Sequence, residues 1–169
     1  MAQKQIVGLV SIHAGEPLAT GVSASASFAG FTKLQQPYKG GITVTGTAPT
    51  QNKFYREGEK EPFFSLVDAT SGGTEITWTH SDFDEETKAF YFGESGEDHF
   101  EGEKAFVFES NTGSALAFAR LKYSAVLSGN VNMETPLQIS VTASMLAPTT
   151  SGKAWDVIDT PKFTAEPAA

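Results

Sequence analysis

Apolar and polar residues alternate with a period of two along much of this chain, and rarely with the period of a helix. The clearest run is LQISVTASML. Leu137, Ile139, Val141, Ala143 and Met145 fall on one face, and Gln138, Ser140, Thr142 and Ser144 on the other. LKYSAVLSG gathers Leu121, Tyr123, Ala125 and Leu127, and TEITWTH gathers Ile76 and Trp78. Residues 5–14, the run ITVTGT after Gly40-Gly41, and FFSLVD read as further strands. Residues 20–31 also alternate, Val22, Ala24, Ala26 and Phe28 against Ser23, Ser25 and Ser27, which predicts a strand with a face of small hydroxyls. AFVFES and SALAFAR, joined by Asn111-Thr112-Gly113, predict a hairpin.

One segment, residues 83–92, reads as a helix. Asp82 is the expected N-cap, with Glu85 reaching back as a capping box. Asp84, Glu85 and Glu86 favour the positive end of the helix dipole. Asp84 and Lys88 are spaced to pair. Phe83, Thr87, Phe90 and Tyr91 form the face expected to pack on a sheet, and Gly93 fits a C-terminal cap.

The intervening stretches are polar. Residues 46–62, GTAPTQNKFYREGEKEP, predict a long loop, a kind that is usually functional or disordered. TSGG predicts a turn and ESGEDHFEGE an acidic, glycine-punctuated loop. After Ala147 the chain is rich in Pro, Thr, Ser and Ala. Trp155 and Ile158 are candidates to dock, and the end is expected to fray. The expectation is one β domain over residues 1–160, with 161–169 as a flexible tail. Its fold class is mainly β: two packed antiparallel sheets, sandwich-like or barrel-like, with one short flanking helix.

Composition agrees with that class. In 169 residues, 40% are apolar and 19% charged, and thirteen Phe supply a core. The absence of Cys removes disulfides, thiolate metal sites and Cys nucleophiles, and leans towards assembly in a reducing cytoplasm. The opening MAQKQIVGLVSIHAGE breaks early at polar residues and does not read as a signal peptide, and no apolar run reaches membrane-spanning length. Net charge is −8, and fifteen of the 20 acids lie between Glu57 and Glu109. Such a surface is poorly suited to gripping the phosphates of DNA. A solvated acidic face accounts for it, and so does a surface that must repel DNA.

Candidate chemistry is sparse. His80 and Asp82 flank Ser81, yet a triad is defined by geometry and nothing in the spacing supports one. Asp82, Asp84, Glu85 and Glu86 lack the loop spacing of an EF-hand. Glu94, Glu97, Asp98, Glu101 and Glu103 make a better hard-cation candidate. Gly93, Gly96 and Gly102 do not match a phosphate loop. Tyr38, Tyr55 and Trp155 are placed to stack on sugars, although aromatics in a Phe-rich β domain more often pack inside it or at interfaces. No enzyme activity, cofactor or metal is expected.

The order strand, short acid-capped helix, hairpin, strand, strand resembles the tail tube (major tail) proteins of bacteriophages. The segments EITWTHSDFDEETKAFYFG and EKAFVFESNTGSALAFARLKYSAVLSGNVNMETPLQISVTASMLAP carry the resemblance, so it rests mainly on the second half of the chain. It implies a structural virion protein, made in the host bacterial cytoplasm. Six subunits would form a ring whose inner sheets join into one barrel, and the rings would stack into a tube that conducts DNA. The partners implied are further copies of the chain and other tail proteins, such as tape measure, terminator and baseplate or tip proteins. Related tubes of injection and secretion machines share the fold. On that reading Gln138, Ser140, Thr142 and Ser144, or Ser23, Ser25 and Ser27, face the channel, where DNA passes without tight binding. Lys53, Tyr55, Arg56, Glu57, Glu59 and Lys60 belong to an arm between rings. The alternative is a monomeric β-sandwich binding module, carbohydrate-binding or adhesive. A small hydrolase has the least support.

Overall fold

A computed structural model describes residues 6–24, 27–37, 41–68, 72–81, 84–93, 96, 99–130, 137–159, 161 and 163. Among them the chain forms β1 (Leu9–Gly15), β2 (Thr32–Leu34), β3 (Ile42–Thr47), β4 (Thr50–Phe54), β5 (Phe64–Asp68), β6 (Gly73–His80), α1 (Glu85–Phe92), β7 (His99–Ser110), β8 (Ser114–Ser128), β9 (Gln138–Met145) and β10 (Trp155–Asp159). The mainly β class with a single short helix holds, and every strand pairing among the described residues is antiparallel.

The architecture follows from one long hairpin. β7 and β8 pair from His99 opposite Val126 to Glu109 opposite Ala115. Partway along, the register shifts. Lys104 faces Leu121 while Phe106 faces Phe118, so Ala119 and Arg120 together oppose Ala105. A bulge of this kind bends and twists the strands. On one side of it, β1 and β2 continue the sheet beyond β7, and β10 adds to β8. On the other side, β9, β6 and β3 continue it beyond β8. The two leaves of the sandwich are therefore halves of one folded sheet, here called the β1 leaf and the β9 leaf.

The main core lies between the leaves. Ile12, Leu34, Phe106, Phe108 and Phe118 of the β1 leaf meet Ile76, Trp78, Tyr123, Ile139 and Val141 of the β9 leaf, closed by Tyr91 and Phe92 of α1. The Trp78 ring stands edge-on to Phe106 and Phe108, with centroids 5.2 and 5.3 Å away. A second cluster covers the opposite face of the β1 leaf. There Val107, Ala115, Ala117 and Ala119 pack under Val22, Phe28 and Ile158. Burial on both faces is why AFVF and ALAFA read as nearly continuous apolar runs, whereas the β9 leaf, wet on one face, alternates.

Helix α1 starts two residues later than expected. Its N-cap is Asp84, whose Oδ1 accepts the Thr87 N–H at 2.8 Å. The expected cap, Asp82, and Phe83 lie outside the described residues. With the Asp84 carboxylate engaged in the cap, Lys88 pairs with Glu85 at 3.4 Å instead. Gly93 closes the helix at φ 62°, its N–H bonded to the Ala89 carbonyl. Thr87 and Tyr91 are buried, as the helical face predicts, and Thr87 Oγ1 accepts the Gln35 N–H at 2.9 Å.

Several expectations are corrected. Residues 20–31 are not a strand: the described ones form turns with a single bridge, Val22 to Lys153. Their alternation marks which side chains are buried, Val22 and Phe28, and not strand pairing. The crossing is tight, because a Cβ on Gly152 would collide with the Thr20 carbonyl. Residues 46–62 are not one long loop. They contribute the end of β3 and all of β4, which pairs with β5 as a separate two-stranded hairpin. Gln51, Asn52 and Lys53 have weak strand propensity, and the partner strand supplies the order. Residues 99–103 of the expected acidic loop are strand, SALAFAR and LKYSAVLS fuse into the single strand β8, and Trp155 opens an unanticipated β10. Phe163, in the expected tail, stacks on His13 with ring centres 3.6 Å apart.

Candidate functional site

The β9 leaf presents one face to solvent, and the pairing registers make it a lattice of hydroxyls. One row across five strands runs Glu101, Ser124, Thr142, Thr77, Thr43. The next runs Glu103, Lys122, Ser144, Glu75, Thr45, and on the other side lie Val126, Ser140 and Thr79. Strand geometry spaces side chains along each strand by about 6.6 Å and across strands by about 4.8 Å. Ser128 and Ser140 hydrogen-bond through their hydroxyls at 2.7 Å. The two bases described on this face are each paired with an acid, Lys122 with Glu101 at 2.9 Å and Arg120 with Glu103 at 2.7 Å, and Glu75 adds one further acid. Contact with Lys122 holds the Glu101 carboxyl below its ordinary range and raises the Lys122 amine.

Gln138, Ser140, Thr142 and Ser144 stand together on this face, Thr142 and Ser144 exposed and the other two half-buried. Ser23 and Ser27 do not join them. Both are exposed on the segment that covers the second cluster, and Ser27 Oγ accepts the Ala29 N–H. Ser25 lies outside the described residues. Residue spacing gave the β9 face. What it did not give is that Thr43, Thr77 and Ser124 extend the same face on three other strands, because cross-strand register is invisible in one sequence.

Both ends of this leaf are open edges. β3 pairs with β6, and residues 100–104 of β7 pair with β8. Among the described residues, no second strand pairs with β3 or with residues 100–104, a condition that favours pairing with another chain.

The β4–β5 hairpin is the second surface. Every residue of both strands is exposed. Lys53 lies on β4, and Tyr55, Arg56, Glu57, Glu59 and Lys60 lie in the turn that follows, all exposed. Arg56 pairs loosely with Glu59 at 4.0 Å and sits 5.0 Å over the Phe63 ring. The expected polar arm carries an apolar surface, part of which is the short apolar strand FFSLVD read from the sequence. Phe54, Phe63, Phe64, Leu66 and Val67 are all exposed, with the Phe54 and Phe64 rings 5.7 Å apart. The signal was a short apolar strand flanked by charged turns.

Two of the three histidines, His13 and His80, are buried. His80 is fully buried, its Nε2 3.1 Å from both Trp78 Nε1 and Tyr91 OH. Burial lowers it to about 4, against smaller opposing effects of the Gln35 main chain and Asp84. Asp82, its suspected partner, lies outside the described residues. A second group escaped the sequence reading: Ser11 Oγ is 3.1 Å from His13 Nε2 and donates to Glu109 Oε2 at 2.9 Å. A carboxylate only accepts, so the Ser11 proton is committed to Glu109 and His13 Nε2 must donate to Ser11. That is the reverse of nucleophile activation, and Ser11 is 2% exposed. Burial also lowers His13.

Among the described residues no group of three or more His, Asp or Glu is arranged for a metal ion. Glu94, Glu97 and Asp98 lie outside them, and Glu101 and Glu103 are held by Lys122 and Arg120. Trp155 borders an apolar opening of about 260 Å³ with Val44, Gly46, Thr74, Leu116 and Phe118, and Tyr55 sits apart on the hairpin turn. Tyr38 is outside the described residues. No helix among the described residues is long and apolar enough to cross a membrane. The chain matches no protein-family model and no curated protein.

Proposed function

We propose that this chain is a structural subunit that associates with its own copies, edge to edge, into rings that stack as a tube. The single observation that carries the reading is a hydroxyl-rich leaf, wet on one face and open at both edges. Pairing β3 of one copy with residues 100–104 of β7 in the next would satisfy both edges at once. Such a contact is heterologous, so it closes into a ring when the rotation per copy permits. The joined leaves would form a barrel with no remaining edge. The resemblance to phage tail tube proteins supplies the number six and the cargo, DNA on its way into a host. It also supplies the setting of a virion tail assembled in the bacterial cytoplasm, with tape measure, terminator and baseplate or tip proteins as neighbours.

Two features support the reading. The wet face offers small hydroxyls and paired charges, so DNA phosphates would find no free cation to hold them. The hairpin leaves at least four large apolar side chains in water, and fully burying each would contribute about 1.5–3 kcal/mol. An isolated two-stranded hairpin is marginal in water, so a neighbouring ring is a sensible support for it. Negative-stain microscopy of concentrated protein tests the proposal: rings or tubes support it. A species that stays monomeric at every concentration refutes it.

The second reading, a monomeric binding module, draws on Trp155 at its apolar opening. It requires a stable monomer and a glycan that quenches Trp155 fluorescence.

A further inference from the structure

Among the described residues the wet face carries two bases, Arg120 and Lys122. Arg120 and Lys122 are two residues apart on β8, about 6.6 Å by strand geometry. That matches about two steps of rise along one DNA strand. Beside Lys122 stand Ser124 on its own strand and Ser144 directly across from it. Arg and Lys flanked by Ser and Thr hydroxyls are the usual donors to a nucleic-acid backbone.

Each base is nevertheless occupied. By register Glu103 faces Lys122 and Glu101 faces Ser124. The acids do not take their direct opposites. Glu103 reaches diagonally to Arg120, with its Oε2 2.8 Å from Nε and 2.7 Å from the nearer terminal nitrogen. Glu101 then takes Lys122 at 2.9 Å. The shift assigns one acid to each base and leaves neither base over. Side chains in the Lys122–Glu101 pair are 54% and 63% exposed, so the pair adds little to folding stability. Its main effect is on the charge that the surface shows.

We infer that Glu101 and Glu103 are masking residues, which cancel a latent DNA-phosphate-binding stripe formed by Arg120, Lys122 and the hydroxyls around them. The inference rests on the proposed function for its purpose, a wall along which DNA slides. Its chemistry stands without that purpose. Glu75, next to Ser144 in the same row, adds a negative charge on the far side of Lys122. Contact with Lys122 holds the Glu101 carboxyl below its ordinary range, which favours the ionised, masking form.

The test is salt-dependent binding of a short linear DNA duplex to purified full-length protein. Wild type should bind negligibly. Glu101→Gln with Glu103→Gln should gain affinity, with a log K against log salt slope steeper by about 2 for two phosphates newly engaged. Adding Lys122→Gln and Arg120→Gln should abolish the gain. Glu57→Gln with Glu61→Gln removes the same charge from the hairpin region and should gain nothing. If the double variant fails to fold by circular dichroism, Glu101→Gln alone serves, with a slope change of about 1. No gain in a folded variant overturns the inference. So does a gain that survives loss of the bases, or an equal gain in the hairpin control. Microscopy of the same samples separates the two ideas. Tubes without a gain leave the tube and discard the mask, and a gain without tubes does the opposite.

Discussion

Tyr91 OH lies 3.1 Å from His80 Nε2, and both side chains are fully buried. With Trp78 Nε1 donating into the same point, Nε2 is an acceptor and the imidazole is neutral. The contact ties α1 to β6, so the helix depends on an uncharged His80.

Stability should therefore fall in acid. His80 titrates near 6.5 when unfolded and at about 4 in the fold. Between those values the unfolded chain binds more protons, so stability rises with pH across that window. The contribution is complete above about 6.5 and lost as pH falls through about 4. It amounts to about 3 kcal/mol. His13, also lowered by burial, acts in the same direction. Denaturant unfolding at pH 7, 5.5 and 4 checks this, and His80→Gln should flatten most of the slope. An equally steep slope in that variant would assign the effect elsewhere.

The hairpin prediction separates folding from assembly. Phe54 and Phe64 are 47% and 52% exposed, so Phe54→Ser with Phe64→Ser should change monomer stability by no more than about 0.5 kcal/mol per site. Tube growth should be lost. Deleting only residues 49–60 would remove β4 and leave β5 without its partner. Deleting the whole hairpin, residues 50–68, is cleaner. Normal polymerisation of either variant would remove the hairpin from the contact.

At the open edge of β3, Val44 faces the core side and is 46% exposed. A Lys there is a common guard against edge pairing. Val44→Lys should leave a folded monomer by circular dichroism and block rings in sedimentation and microscopy.

For the wet face, Thr142→Lys is the sharper probe than Ser140→Lys. Ser140 is half-buried and bonded to Ser128, whereas Thr142 is exposed at the centre of its row. Thr142→Lys should still assemble, bind duplex DNA in a salt-sensitive way, and slow DNA passage through assembled tubes. Assembly with no new DNA affinity would argue that this face is not reached by DNA.

Much of the fold was legible because burial writes itself into the period of a strand. Ile76 and Trp78, or Ile139, Val141 and Ala143, face the core as their alternation requires. Where a strand is buried on both faces, alternation vanishes, and AFVF or ALAFA could be recognised only by its Gly-containing turn. The same signal misled at Val22 and Phe28, where it recorded burial in turns and a single bridge rather than in a strand.

The sequence by itself determined the class, the core faces of β6 and β9 and that of β8 as far as Ala125, with Leu127 exposed, the helix with its Gly93 stop, and the hydroxyl face of β9. These depend on neighbours in the chain. Only the tertiary structure decided the rest: the bulge opposite Ala105 that folds one sheet into two leaves, and the register that aligns Thr142 with Thr77 and Ser124. It also decided the partner each Glu takes on β8, and that Phe54 and Phe64 stand in water. Each of these is a long-range relation. An apolar residue states that it favours burial, but whether its own chain or another copy provides the cover depends on geometry that no local pattern encodes.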